Sequence, residues 1–145
     1  TQHGGVVVKN IGDALLYYFP KTDTDEAEPF ENMLRCSIDM LEARTKINEK
    51  LVSEKLPEVN YRISAAFGPV RVAIVATSTI DDIFGTTVNK CAKINTLASP
   101  NTMVIDESLY NKVREIGGYI FEKIAEYDID ADNKFGVYSA KPKTG

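Results

Sequence analysis

Histidine occurs once, at His3, tryptophan is absent, and cysteine appears only at Cys36 and Cys91. A single histidine leaves no donor set for a multi-histidine zinc centre. Placed beside the N-terminus, it is also a poor base for a Ser-His-Asp triad. Two isolated cysteines, both in stretches that read as helices, leave one disulfide open but fall short of a disulfide scaffold. They fit small buried hydrophobes in a reducing compartment, which points to a cytoplasmic domain. There is no Lys/Arg run, and the net charge is −4 with a pI near 5.1. That balance argues against nucleic-acid binding driven by phosphate neutralisation. No apolar run approaches the roughly 20 residues of a membrane span, and no signal-peptide pattern opens the chain. Repeats and low-complexity tracts are missing too. What remains is ordinary: 145 residues, 43% hydrophobic and 26% charged. One globular domain, residues 1–145, with a buried core is expected.

The pattern along the chain predicts strands over 5–9 and 14–19, joined at Asn10-Ile11-Gly12-Asp13 by a tight turn. The acidic stretch Asp23–Glu28 suits a helix N-terminus, where negative charge meets the positive end of the macrodipole. Phe30, Met33, Leu34, Ile38 and Leu41, then Ile47, Leu51 and Val52, recur with helical period and predict a long amphipathic helix ending before Pro57. Strands are expected over 61–67 and 70–75, split by Gly68-Pro69. A loop over 77–84 then leads to a helix over 87–97, with Val88, Cys91 and Ala92 on its buried side. A short strand at 103–105, a helix over 107–113 and a hairpin of 119–125 with 135–139 complete the order ββαββαβαββ. Such a mixture predicts an α+β fold, with helices packed on a mainly antiparallel sheet.

Two segments carry candidate chemistry. In Lys9-Asn10-Ile11-Gly12-Asp13 a carboxylate follows a glycine at a strand end, where a hard cation such as Mg²⁺ can be held. The same residues also serve a plain hairpin turn. In Asp82–Lys93 a helix beginning near Thr87 sets Asn89 and Lys93 at i and i+4, on one face, with Asp82 in the lead-in. An amide and a cation so placed suit a ribose and a phosphate, and equally a solvated helix face. Asp128, Asp130 and Asp132 have the spacing of a calcium loop, but Asn133 and Ser139 stand where its Gly and Glu are needed, so a solvated hairpin tip is expected.

Taken together, these segments resemble the class III adenylate/guanylate cyclase catalytic domain. Gly4-Gly5 through Lys9 to Ile11-Gly12-Asp13 is similar to the family's G-G-x-x-x-K-x-I-G-D hairpin. Arg62 to Gly68-Pro69-Val70 is similar to its R-x-x-x-x-x-G-P-V strand pair. Asp82, Gly85, Val88 and Asn89 match its D-x-x-G-x-x-V-N helix start, and Thr102–Ser108 resembles the strand and turn that follow. The resemblance implies a ferredoxin-like (βαββαβ) nucleotidyl cyclase fold, a homodimer with active sites at the subunit interface, and a fused or coupled regulatory domain. It also implies an adenylate cyclase activity that converts ATP to 3′,5′-cyclic AMP and pyrophosphate with two Mg²⁺ or Mn²⁺ ions. By the same resemblance Asp13 is a metal ligand and Asn89 orients the ribose. Lys9 and Asp82 read the purine, a pair that suits adenine where guanine-using relatives typically carry Glu and Cys. Asp13 of one protomer would act with Lys9, Asp82 and Asn89 of the other.

Three departures accompany the resemblance. The strand bearing the second metal Asp, with one or two helices, belongs before His3, so the chain is expected to lack the domain's first strand. A ferredoxin-like sheet without that strand would leave unpaired edges. Lys93 stands in place of the transition-state Arg, keeping the charge and losing the planar fork, so weakened activity is expected. Near the last strand, Asp128 falls where a triphosphate-binding Lys is usual, with Lys134 as a substitute if the hairpin is longer. The alternative is therefore a catalytically impaired cyclase-homology module that binds nucleotide or dimerises. A diguanylate-cyclase relative is disfavoured by the absence of a G-G-[DE]-E-F turn.

Overall fold

The computed structural model describes residues 5–11, 14–19, 22, 26–69, 71–73, 82–130 and 133–143. In chain order the elements are β1 (Val6–Ile11), β2 (Ala14–Tyr18), α1 (Glu28–Ser53), β3 (Arg62–Ala65), β4 (Arg71–Ala73), β5 (Asp82–Phe84), α2 (Thr86–Asn95), β6 (Thr102–Asp106), α3 (Glu107–Val113), β7 (Tyr119–Asp130) and β8 (Asn133–Pro142). The expected order gains one strand, β5, inside the stretch read as a loop. Asp-Ile-Phe is too short to show alternation. It is a strand because Arg71–Ala73 pairs with it antiparallel, which is a non-local cause.

Helix α1 starts with Pro29 in its first turn and Glu28 and Glu31 near the dipole's positive end. Phe30, Met33, Leu34, Ser37 and Ile38 are buried along one stripe. The stripe does not continue as expected: Ile47 is 39% and Val52 54% exposed. The buried residue of that half is Asn48. Its Nδ2 donates to the Val59 carbonyl (3.0 Å) and its Oδ1 accepts from the Val59 amide (2.7 Å), clamping the returning chain. Lys55, at φ 60°, closes the helix. The Leu56 amide bonds to the Leu51 carbonyl and the Lys55 amide to the Val52 carbonyl, a Schellman pattern that satisfies the last carbonyls.

The main sheet runs β3-β6-β8-β7, with β3–β6 parallel and the other pairs antiparallel. Neighbouring residues of β6 point to opposite faces. Met103 and Ile105 join Phe30, Leu34, Leu109, Val113 and Ala140 under α1 and α3, while Val104 joins Ile94, Ala98 and Val137 under α2. Helices therefore cover both faces. Tyr110 of α3 stacks on Tyr138 of β8, with centroids 3.8 Å apart. Among the described residues β1–β2 and β4–β5 form two separate two-stranded sheets. The β7–β8 hairpin is longer than expected, so Asp128 and Asp130 are strand positions instead of loop residues, while Asp132 lies outside the described residues. No helix among the described residues is long and apolar enough to cross a membrane.

Candidate active site

The start of α2 is built from two glycines. Gly85 has φ 135°, ψ 178°, a conformation L side chains rarely adopt, and its carbonyl accepts the Asn89 amide (3.2 Å). Gly68 lies so close to α2 that a Cβ there would meet Thr87 Oγ1 at 2.5 Å. The same Oγ1 donates to the Pro69 carbonyl (2.9 Å), which locks the Gly68-Pro69 turn onto the first turn of the helix. Further along, the Ser64 hydroxyl donates to the Cys91 carbonyl (2.9 Å) and Asn95 Nδ2 to the Arg62 carbonyl (3.3 Å).

These anchors set which side of α2 is buried. Thr87 and Ile94 are buried, and Cys91 and Val88 are half-buried. Ala92 was expected on the buried side and is exposed, because the β3 anchors fall on the Thr87–Cys91–Ile94 line. Burial pushes the Cys91 thiol above its ordinary pKa, and its hydrogen bond with Ser64 opposes that only in part. Both cysteines are free thiols within helices, as expected. Asn89 and Lys93 are exposed on one face. The Lys93 ammonium lies 6.0 Å from the centre of the Tyr127 ring.

Beside them stands a group the sequence reading gave no role. Asp106 is fully buried at the junction of β6 and α3. Its Oδ1 accepts the Leu109 amide (2.9 Å), capping α3, and also the Phe67 amide (3.2 Å). Its Oδ2 faces Lys90 Nζ at 2.6 Å. The Lys90 ammonium also sits 5.0 Å from the centre of the Phe135 ring. An Asp directly before a short amphipathic stretch is an N-cap signal, so the cap was open to discovery. The lysine was not.

The other expected site residues can be placed by their strands. Lys9 follows a register shift in β1 and is paired with Leu16, and Asp82 opens β5 opposite Ala73. Strand β1 lies against β5, and β5 touches α2, so the elements bearing Lys9, Asp82 and Asn89 are neighbours in one chain. Lys134 stands opposite Asp128 near the end of the longer hairpin. Asp13 lies outside the described residues. No cluster of three or more His, Cys, Asp or Glu suited to a metal ion occurs among the described residues.

Comparison with solved structures gives the same fold repeatedly. The non-canonical dimeric guanylyl cyclase domain of the RhoGC fusion protein from the aquatic fungus Blastocladiella emersonii superposes with a TM-score of 0.80 at 19% identity, covering 99% of this chain and 75% of that one. The guanylate cyclase domain of RhGC from Catenaria anguillulae, crystallised with GTP, gives 0.76 at 19% identity, with 99% and 75% covered. The adenylyl cyclase CyaB from P. aeruginosa gives 0.75 at 13% identity, with 99% and 74% covered. No curated protein sequence matches the chain significantly. Residues 1–141 match the adenylate and guanylate cyclase catalytic domain as a family, and the chain belongs to that family.

Proposed function

We propose that the domain is an adenylate cyclase, converting ATP to 3′,5′-cyclic AMP and pyrophosphate as a homodimer. The observation that carries the reading is that β1, with Lys9, lies against β5, with Asp82. A lysine donor matches the adenine N1 acceptor, and a carboxylate acceptor matches its exocyclic amine. Guanine presents the reverse pattern at those positions. The ribose 3′-hydroxyl gives up its proton to water and its oxygen attacks its own α-phosphorus; the O3′–Pα bond forms as the bond to the β-phosphate oxygen breaks, and pyrophosphate leaves with the electron pair. Asn89 holds the ribose so that the hydroxyl faces phosphorus, the positioning on which such a displacement depends. Lys93, one turn further along α2, offsets charge building on the phosphates. Asp13 would hold Mg²⁺ or Mn²⁺. When bound, the metal supplies charge neutralisation at the triphosphate and favours ionisation of the attacking hydroxyl. We place the domain in the cytoplasm, under the control of a fused or coupled regulatory domain.

Incubated with ATP and Mn²⁺, the protein should release cyclic AMP and pyrophosphate in equal amounts. A folded dimer that makes no cyclic AMP overturns the reading, and one that makes cyclic GMP alone replaces it with a guanylate cyclase. Lys9→Glu with Asp82→Cys should move preference toward GTP, and an unchanged preference would remove the purine assignment. The second reading, an impaired cyclase-homology module that binds nucleotide or dimerises, draws on Lys93. Its ammonium is held near Tyr127 and lacks the guanidinium fork. Nucleotide binding without turnover is its signature.

A further inference from the structure

We infer that Lys90 and Asp106 form a positioning pair that fixes the rotation of α2, and with it the placement of Asn89 and Lys93. The inference rests on the cyclase reading for its kinetic consequence. Its structural part stands on the contacts alone.

Asp106 is rigidly seated. It is fully buried, and its Oδ1 is fixed by the amides of Leu109 in α3 and of Phe67 in the segment after β3. Its Oδ2 is approached by Lys90 Nζ to 2.6 Å, and among the described residues no other donor reaches it. A carboxylate in that environment is costly to leave without a cation, so the two charges stay together even though forming the pair need not add net stability. Lys90 also lies over the Phe135 ring, 5.0 Å away, so the side chain is held from two sides, and it is 23% exposed. The hydrogen bonds from Ser64 and Asn95 anchor α2 along β3. The Lys90 contact ties the helix to the β6–α3 junction, a second direction. The Thr87–Pro69 bond and the β3 hydrogen bonds hold one side of α2, and the Lys90 contact constrains its rotation from a further direction.

Lys90 directly follows Asn89 and precedes Lys93 by three residues. A turn of α2 by about 20° would carry a side-chain position at about 5 Å from the axis through about 2 Å. A shift of about 1 Å at a reacting group can cost on the order of a hundredfold in rate. Neither Lys90 nor Asp106 need touch nucleotide for that effect.

The test compares wild type, Lys90→Met, Lys90→Arg and the double variant Lys90→Met/Asp106→Asn. The double variant removes both charges and keeps an amide able to cap α3. Each is measured with Mn²⁺-ATP for kcat and KM, and by backbone amide exchange across residues 86–95. The expected result is a fall in kcat of about tenfold to a hundredfold in Lys90→Met with KM within about twofold, recovered in Lys90→Arg. Exchange at Asn89 and Lys93 should quicken in Lys90→Met and recover in Lys90→Arg. If Lys90→Met lowers only the melting temperature and keeps kcat, the pair stabilises without positioning and the inference fails. If wild type turns over neither ATP nor GTP, the cyclase reading fails by itself. Exchange then decides: unchanged protection at Asn89 and Lys93 in Lys90→Met overturns the pair, and quickened exchange restored by Lys90→Arg upholds it.

Discussion

At the scale of single residues, the site depends on close approaches that side chains would block. Gly68→Ala forces a Cβ against Thr87 Oγ1, a buried atom already bonded to Pro69. Overpacking of this kind costs about 1–3 kcal/mol. Because the clash and the hydrogen bond share one side chain, the Gly68→Ala/Thr87→Ala double variant should lose less than the sum of the two singles. Urea midpoints at constant m-value would show it, and strict additivity would exclude the contact. Cys91 gives a second prediction. Burial raises its folded-state pKa, so the unfolded chain gives up the thiol proton first as pH rises. Stability should therefore fall from about pH 8.5 upward, through the folded-state pKa. Cys91→Ala should flatten that decline in chemical denaturation, and an unchanged slope would count against the burial. That Asn89 and Lys93 share an exposed face of α2 was readable in the sequence, because their spacing is local. The Lys90–Asp106 pair was not legible: sixteen positions separate them, and only the parallel pairing of β3 with β6 brings Phe67 to the same carboxylate.

Elements were legible where periodicity ran long and illegible where pairing was the cause. Helix α1 and the β7–β8 hairpin declared themselves, whereas β5 did not. The hairpin also contains a feature no alternation rule would supply. Phe121 and Lys123 face Ala140 and Tyr138, but Ala125 and Tyr127 pair with Val137 and Phe135, after a register shift between Lys123 and Ala125. Residues 138 and 137 point to opposite faces, so the extra residue, Ile124, turns β7 over. Tyr119 and Phe121 pack under α1 and α3, and Ala125 and Tyr127 pack on the α2 side. Deleting Ile124 would remove the bulge and leave Ala125 opposite Val137 and Tyr127 opposite Phe135, each on its present face. The ring beneath Lys93 would keep its place. We expect the deletion to cost far less than the several kcal/mol of a displaced aromatic and its cavity, read by thermal denaturation; a loss of that size would mean that the strand had slipped register instead. Ile124 is 44% exposed, so Ile124→Ala should be nearly neutral and separates the backbone role from the side-chain role.

At the scale of the whole molecule, the proposed homodimer divides the chemistry between two copies. Within one chain, the strands of Lys9 and Asp82 and the helix of Asn89 are neighbours. The family resemblance assigns the metal-binding Asp13 of each site to the other protomer. That division makes a prediction a single-chain site cannot satisfy. Asp13→Ala and Asn89→Ala homodimers should each be inactive, because every site lacks one member. In a mixture, a heterodimer has one site with both Asp13 and Asn89 and one site with neither. Random pairing of equal amounts makes half the dimers mixed, each with one working site of two. Activity should therefore return to about a quarter of the wild-type value per protein when the inactive variants are mixed and allowed to exchange. Dilution should lower specific activity in step with the dimer fraction, measured in parallel by sedimentation. Absence of recovery, in a mixture shown by mass to contain heterodimers, would mean that each site is assembled within one chain.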